Sequence, residues 1–361
     1  MEGWQSLPEW DIPSNFFPKT KVTVVVPARN EEKKIIACLS SLSKINYPKY
    51  LLEIIVVDDH STDKTFDLVN YFSAKENYIK IIKLSDFTQN KKANSFKKLA
   101  IGTAIAHASG DLIVTTDADC IVPTNWLQLF VSFYEINGLQ FIAAPVNFHL
   151  EKSLFERFQS LDFLGMMGVT GASIQLGWMN MCNGANLAYS KRAFERVEGF
   201  AGIDHLASGD DILLMQKIAA HFPQGIGFLK NKKATILTTA KPDINSFISQ
   251  RLRWATKSAN YQEWKTTLIL SIVFFYCWAI IISFFLIPFF DIKYTVLFIV
   301  LIMMKSIPDY FFLGKMAAYF NRLDLMKNYW PAQVLHILYI AVVGAVSNFK
   351  KQYTWKGREV R

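Results

Sequence analysis

Three times in the first 120 residues, a short stretch of β-branched and aliphatic residues stops abruptly on polar or acidic ones. Val22–Val26 ends at Pro27 and leads into Ala28-Arg29-Asn30-Glu31. Glu53–Val57 ends in Asp58-Asp59-His60-Ser61, and Leu112–Thr116 ends in Asp117-Ala118-Asp119. Runs this short and this apolar read as buried strands, because no alternation of polar residues marks a wet face. Between them lie segments with helical spacing: Glu31–Ser43 (Ile35, Ile36, Leu39, Leu42), Thr62–Phe72 with Ser61 or Thr62 placed to cap it, and Phe96–Ala108. Tyr78–Lys83 reads as a further strand. Strands alternating with crossover helices build an α/β domain around a mostly parallel sheet covered on both faces. Ligands of such sheets bind beyond the carboxyl ends of the strands, where the polar clusters fall.

The character of the chain changes at Thr266. Thr266–Phe290 carries no formal charge and is long enough to span a bilayer with some tilt. Tyr294–Leu313 is a second apolar stretch, interrupted by Lys305, Pro308 and Asp309, and Pro331–Ser347 is a third, shorter one. The expected organisation is an N-terminal segment (1–20), an α/β domain (21–260), a membrane region of two or three helices (266–348) and a basic tail (349–361). The expectation is an integral protein of the inner or cytoplasmic membrane whose α/β domain faces the cytoplasm. The formal charge of +9 fits anionic headgroups and cytoplasmic loops. No helix-turn-helix, zinc finger or RNA-binding sheet motif is present, so no nucleic acid partner is expected. If all three stretches cross, the basic loop Lys315–Lys327 falls inside but the tail Lys350–Arg361 falls outside, against the positive-inside tendency. Either one stretch is re-entrant or interfacial, or the tail breaks the rule. Lys305 and Asp309, one helical turn apart, are suited to pair with each other. The cysteines (Cys38, Cys120, Cys182, Cys277) have neither metal-ligand spacing nor disulfide-like pairing and read as reduced thiols. The first 21 residues lack the apolar core of a signal peptide.

Asp117 and Asp119 at a strand end can share one divalent ion and meet a diphosphate through it, and all-oxygen ligation suits Mg2+ or Mn2+. Taken alone, Asp-x-Asp is more often a solvated turn. Asp58-Asp59 alone is equally an acidic turn capping the next helix, and Pro27–Glu31 the start of one. Gly209-Asp210-Asp211 places a carboxylate pair at the opening of a helix, where the helix dipole holds negative charge. Gln250-Arg251-Leu252-Arg253-Trp254 alone is a basic interfacial anchor with a belt aromatic.

In their order, however, these five segments resemble the family 2 glycosyltransferases with the GT-A fold. The chain looks most like the membrane-bound group that includes cellulose and hyaluronan synthases and ceramide glucosyltransferases, over about residues 20–260. VTVVVPARNEE is similar to the first-strand nucleotide motif, EIIVVDDHSTD to the second and LIVTTDADC to the metal-binding strand end. SGDDILL is similar to the catalytic-base motif, QRLRW to the Gln-x-x-Arg-Trp signature and CNGANLAY to the segment beside the sugar. The resemblance implies a nucleotide-sugar donor whose nucleoside pocket is lined by Pro27, Arg29 and Glu31, with Asp58 or Asp59 on the base. It implies that Lys97 touches the donor, that Asp117 approaches the ribose or metal and that Asp119 holds the metal. Asp211 would be the general base, and Gln250, Arg253 and Trp254 would bind the diphosphate and frame the acceptor entrance. The base motif departs from the usual Glu-Asp, having Asp210-Asp211, which leaves Asp210 as a competitor. The implied reaction is a single inverting displacement at the anomeric carbon. Uridine is the more usual base in this group and guanosine the alternative. Two or three spans are few for a polymer channel within one chain, which favours a membrane lipid acceptor over a growing glycan; a homo-oligomer or partner subunit could still supply a channel. The competing readings are a processive polysaccharide synthase subunit, a sugar nucleotidyltransferase and a non-enzymatic scaffold.

Overall fold

The computed structural model describes residues 1–88, 95–178, 181–206, 208–255, 264–289, 292–349, 353–355 and 358–360. Phe290, which closes the first expected span, and much of the basic tail lie outside the described residues. The chain divides into two compact units. One comprises 2–147, 170–239 and 354–361, and the other Met1, 148–169 and 240–353.

The first unit is built on a seven-stranded sheet. Its strands are β1 (Val22–Ala28), β2 (Leu52–Asp58), β3 (Ile79–Lys83), β4 (Leu112–Thr115), β5 (Phe141–Ala143), β7 (Leu187–Ser190) and β8 (Ile226–Phe228), in the order β3-β2-β1-β4-β7-β5-β8. The short strands β6 (Val146–Phe148) and β9 (Ile236–Thr238) form a separate pair. β1 pairs in parallel with β2 and β4, and β2 with β3; β7 is antiparallel to β4 and β5, so it alone of the seven is reversed. The expected parallel, doubly covered sheet is present. Every residue of β2 and β4 is buried, as their unbroken apolar runs require. β1 runs past Pro27 to Ala28, because the β4 pairing stops at Val25 and the ladder demands no proline N–H there.

Crossover helices α2 (Ile35–Ser43), α3 (Thr65–Ser73) and α4 (Phe96–His107) follow β1, β2 and β3, and α5 (Trp126–Asn137), α7 (Lys191–Arg196) and α8 (Ile212–His221) complete the layers. α3 starts at Thr65, later than expected, because the polar residues ahead of it are committed elsewhere. Asp63 Oδ1 accepts the Thr65 N–H at 2.9 Å, and Thr62 N–H donates to Asn30 Oδ1 at 2.8 Å. The N-terminal α1 (Glu2–Ser6) packs Trp4 against Phe228, and Lys230 Nζ donates to the carbonyls of Trp4 and Leu7 at 2.9 and 2.8 Å.

The second unit holds most of α6 (Leu154–Gln175) together with α9 (Ile244–Ala255), α10 (Trp264–Leu286), α11 (Ile292–Tyr319) and α12 (Tyr329–Phe349). Three segments here, Trp264–Phe289, Ile292–Tyr319 and Leu323–Ser347, are long and apolar enough to cross a membrane. α11 continues through Pro308, and Pro331 sits in the first turn of α12, where the N–H has no partner within the helix. Lys305 Nζ pairs with Asp309 Oδ2 at 2.6 Å, as its spacing implies, and Gln333 of α12 donates to the same oxygen at 2.9 Å. A second polar knot joins α6, α9 and α12. Buried Asp162 receives Arg251 Nη2 at 2.8 Å, His336 Nδ1 at 3.0 Å and the Tyr339 hydroxyl at 3.0 Å. Burial alone would raise the Asp162 pKa, but Arg251, His336 and Tyr339 outweigh it and hold the carboxyl below its usual range.

The chain ends in β10 (Tyr353–Trp355) paired with β11 (Arg358–Val360). All four cysteines are free and buried, as expected.

Candidate active site

The site is assembled from loops at the carboxyl ends of β1, β2 and β4. The loops after β1 and β2 are laced together. Arg29 Nη1 donates to the carbonyls of Asp59 and His60 at 2.8 and 2.9 Å, Asn30 N–H to Ser61 Oγ at 3.1 Å, and Glu31 N–H to Thr65 Oγ1 at 2.7 Å. Each loop makes its turn on a residue in the left-handed region, Asn30 at φ 49° and His60 at φ 53°. Arg29 therefore ties the two loops together through backbone carbonyls. Burial and the neighbouring Arg358 lower its pKa against the pull of Asp59 and Asp58.

The two aspartates after β2 have different surroundings. Asp58 Oδ2 accepts the Ser61 N–H at 3.3 Å, while Asp58 Oδ1 is buried and has no hydrogen-bond partner among the described residues. Asp59 is fully engaged. His60 Nδ1 lies 2.9 Å from Oδ1, and Arg358 Nη1 lies 2.9 Å from each carboxylate oxygen. An orphaned buried acceptor at a strand end is costly unless something fills it, so Asp58 is the carboxylate suited to a ligand.

The loop after β4 meets α4 and the start of α8. Lys97, in the first turn of α4, sends Nζ to Asp117 Oδ1 at 2.9 Å and to Asp210 Oδ2 at 3.1 Å. Burial opposes its charge, but Asp117, Asp210 and Asp211 outweigh that penalty and raise its pKa, so it stays cationic. Asp211 is the N-cap of α8, with Oδ1 accepting the Ile212 N–H at 2.8 Å. Gly209, at φ 89°, makes the turn that delivers both aspartates, and a Cβ there would meet Leu213 Cδ1 at 2.6 Å. Gly184 closes the cluster. A Cβ on it would lie 3.3 Å from Asp210 Oδ2 and 3.4 Å from Lys97 Nζ. The Gly184 segment is anchored by buried Asn186, which accepts from Trp126 Nε1 at 2.9 Å and donates to the carbonyls of Pro145 and Ala234.

Asp119 Oδ2 lies 3.5 Å from Lys34 Nζ, which also donates to Thr239 Oγ1 at 2.9 Å. Asp117 and Asp119 keep 37% and 25% of their side-chain surface exposed, so both offer hard oxygens to an incoming group. That pair suits a divalent ion completing its shell with diphosphate oxygens and water. Among the described residues no cluster of three or more His, Cys, Asp or Glu ligands occurs, so the protein would supply only part of the shell.

Of the residues expected at the site, the structure brings together Lys97, Asp117 and Asp211 in one cluster and Arg29, Glu31, Asp58 and Asp59 in the laced loops. Pro27 lies in register with Val57 at the end of β1. Gln250, Arg253 and Trp254 lie on α9 in the second unit, where Trp254 faces the Arg251 guanidinium at 4.4 Å. Sequence reasoning had no role for Lys34 or Arg358 and no signal for either. Asp210 was in view only as a competitor, and its pairing with Lys97 spans more than a hundred residues.

A model of glycosyl transferase family group 2 matches residues 112–313, and one of glycosyl transferase family 2 matches residues 23–198. The chain belongs to the family 2 glycosyltransferases. It is 28% identical over 262 residues to the probable glycosyltransferase YdaM of Bacillus subtilis, covering 70% of this chain and 58% of that protein. It is 30% identical over 116 residues to a Methanococcus voltae dolichyl N-acetyl-alpha-D-glucosaminyl phosphate 3-beta-D-2,3-diacetamido-2,3-dideoxy-beta-D-glucuronosyltransferase, covering 32% of this chain and 34% of that one. The chain thus spans less than two thirds of the length of either relative. Its fold matches the mannosyltransferase PcManGT of Pyrobaculum calidifontis, determined with GDP-Man and Mn2+, at a TM-score of 0.56 and 20% identity, over 96% of this chain and 92% of that one. The GT-A fold expected from the sequence is the fold found.

Proposed function

We propose that this glycosyltransferase moves a sugar from a nucleoside-diphosphate donor to a hydroxyl of a membrane lipid or lipid-linked acceptor, inverting the anomeric carbon. The observation that carries the reading is the half-buried Lys97–Asp117–Asp210 cluster with Asp211 beside it, at the strand ends where such sheets bind ligands. A cation held among carboxylates next to an Asp-x-Asp pair is the electrostatic frame a diphosphate requires.

In this reading Asp58 Oδ1 accepts a hydrogen bond from the donor base, on the wall built by Pro27, Arg29 and Glu31. Asp119 and Asp117 would hold Mg2+ or Mn2+, which would supply positive charge to the departing diphosphate. Lys97 lies beside the same leaving group, and preorganised positive charge at that point favours the transition state over the ground state. Asp211 takes the proton from the acceptor hydroxyl as its oxygen attacks the anomeric carbon and the bond to the diphosphate breaks. The ion pair with Lys97 commits Asp210 to holding the cation, which favours Asp211 as the base. Gln250, Arg253 and Trp254, by the family pattern, bind the diphosphate and frame the acceptor. The Mn2+ and GDP-Man of PcManGT and the dolichyl phosphate in the name of the Methanococcus relative support a metal, a nucleotide-sugar donor and a lipid-linked acceptor here. The three membrane-capable helices support an acceptor that resides in the membrane.

The test is a screen of UDP- and GDP-sugars, with Mg2+ or Mn2+, against extracted membrane lipids, with mass analysis of the products. A lipid carrying one added sugar is expected. A ladder of polymer lengths would instead make the chain a processive synthase, and pyrophosphate release from a nucleoside triphosphate and a sugar phosphate would make it a nucleotidyltransferase.

A further inference from the structure

The basic tail does not end as a loose appendage. Arg358, on β11, reaches Asp59 with Nη1 2.9 Å from both carboxylate oxygens, and its guanidinium stacks over the Phe96 ring at 3.7 Å. Only 17% of the Arg358 side chain is exposed, and 3% of the Asp59 side chain. A charge pair this dry is worth keeping only if its geometry is held, and breaking one side strands the other.

Each of the two residues that Arg358 touches is the chain neighbour of a residue assigned above to the donor. Asp59 follows Asp58, the carboxylate with the unfilled oxygen. Phe96 precedes Lys97, the cation at the Asp117–Asp210 cluster. His60, beside Asp59, also packs edge-on against Phe96 at 5.8 Å. We propose that Arg358 is a positioning residue of the donor site, its guanidinium pinning the turn after β2 to the first residue of α4 and so fixing Asp58 and Lys97 at the separation a nucleoside diphosphate spans. This rests on the donor-site reading above and assigns the two aspartates different tasks: Asp58 faces the ligand and Asp59 latches the tail.

A strap and a plug differ in the sign of their effect. Arg358 is bonded to the wall carboxylate Asp59, whereas a plug would sit on the groups that receive the diphosphate. Removing a strap therefore weakens donor binding, and removing a plug tightens it. The test uses the full chain in detergent, with UDP or GDP plus Mn2+ as the calorimetric probe and donor KM and kcat measured in parallel. R358A is expected to raise the Kd about tenfold, the part of the cost of breaking a desolvated charge pair that reaches the donor, with KM rising in step and kcat within about twofold. R358K should recover part of the loss, and D59N/R358A should bind no worse than R358A alone, because the latch is already open. K97A serves as the pocket control and should lose binding. If the wild type and K97A bind alike or not at all, the donor-site reading falls and the strap with it. If K97A loses binding while R358A equals the wild type, the strap alone is overturned. Tighter binding or faster turnover in R358A also overturns it, in favour of a plug.

Discussion

Asp210 and Asp211 are adjacent and chemically identical, and what separates them is the company each keeps. Asp210 lies 3.1 Å from Lys97 Nζ, and Asp211 caps α8 through the Ile212 N–H at 2.8 Å. Replacing the general base removes a step worth about 10²–10⁴ in rate without removing a donor contact. D211N should therefore lower kcat by about that factor while the Kd for the nucleoside diphosphate stays within about threefold. D210N should instead weaken donor binding, because Lys97 loses one of its two bonded carboxylates. Steady-state rates and calorimetry on the two variants decide the assignment; near-normal turnover in D211N removes Asp211 as the base. At this scale residue type and order were enough to propose Asp117, Asp119, Lys97 and Asp211 as site residues. The sequence was illegible where a role depends on a distant partner. Asp58 and Asp59 read as equivalent, and only Arg358, some three hundred residues away, separates them.

Among the elements, the central strands were readable to within a residue or two because burial on both faces leaves an unbroken apolar run. The reversed strand β7 and the short strands β5 and β8 were not, since three or four residues give too little pattern. One polar residue inside an apolar strand repays attention. Glu53 of β2 accepts from Thr23 of β1 at 2.6 Å, from Lys80 of β3 at 2.7 Å and from the Ser109 N–H at 2.8 Å. Burial works against its charge, but these donors prevail and depress its pKa to about 2. In the unfolded chain it titrates near ~4.3. Its stabilisation is thus complete above that value and is lost as pH falls from there through about 2. E53Q should cost about 1–3 kcal/mol at neutral pH, and the gap to wild type should close across this acid window. Melting curves from neutral pH downward check it; a gap independent of pH refutes the linkage. Two helix glycines, one in each unit, offer a contrast. A Cβ on Gly168 of α6 would collide with the Met316 side chain of α11 and approach Phe312 Cζ at 2.8 Å, whereas one on Gly102 of α4 meets nothing nearer than 3.9 Å. G168A should therefore destabilise by about 1–3 kcal/mol through overpacking. G102A should be neutral or stabilise by up to about 1 kcal/mol through helix propensity. Thermal unfolding of both in detergent tests the pair, and equal shifts would mean that the α6–α11 contact is not tight.

For the whole molecule, the latch between Arg358 and Asp59 bears on a conflict that composition left open. The chain leaves the catalytic unit before α9, runs through three helices able to cross a bilayer, and returns Arg358 to that same unit. A salt bridge cannot be made through a bilayer, so a latch formed in the membrane requires an even number of full crossings between these points. Mean hydropathy falls from 2.6 to 1.9 to 1.5 along the three candidates, and the last carries Gln333, His336 and Tyr339. Tyr339 sits at the middle of α12 and bonds Asp162, which holds Arg251. These polar groups make α12 the least suited of the three to traverse lipid. The prediction is a two-crossing hairpin of α10 and α11, with α12 entering beside α10, where Ile337 packs on Cys277 and Ile280, without traversing the bilayer. The basic loop Lys315–Lys327 and the basic tail then share the catalytic side, in keeping with the positive-inside rule. Single cysteines at Tyr50 (81% exposed on the catalytic unit), Lys293 and Tyr353 test this in sealed vesicles with a membrane-impermeant thiol reagent. Y50C and Y353C should react from one face and K293C from the other. Reaction of Y353C from the face opposite Y50C would establish three crossings, and the Arg358 latch could not then form in the membrane.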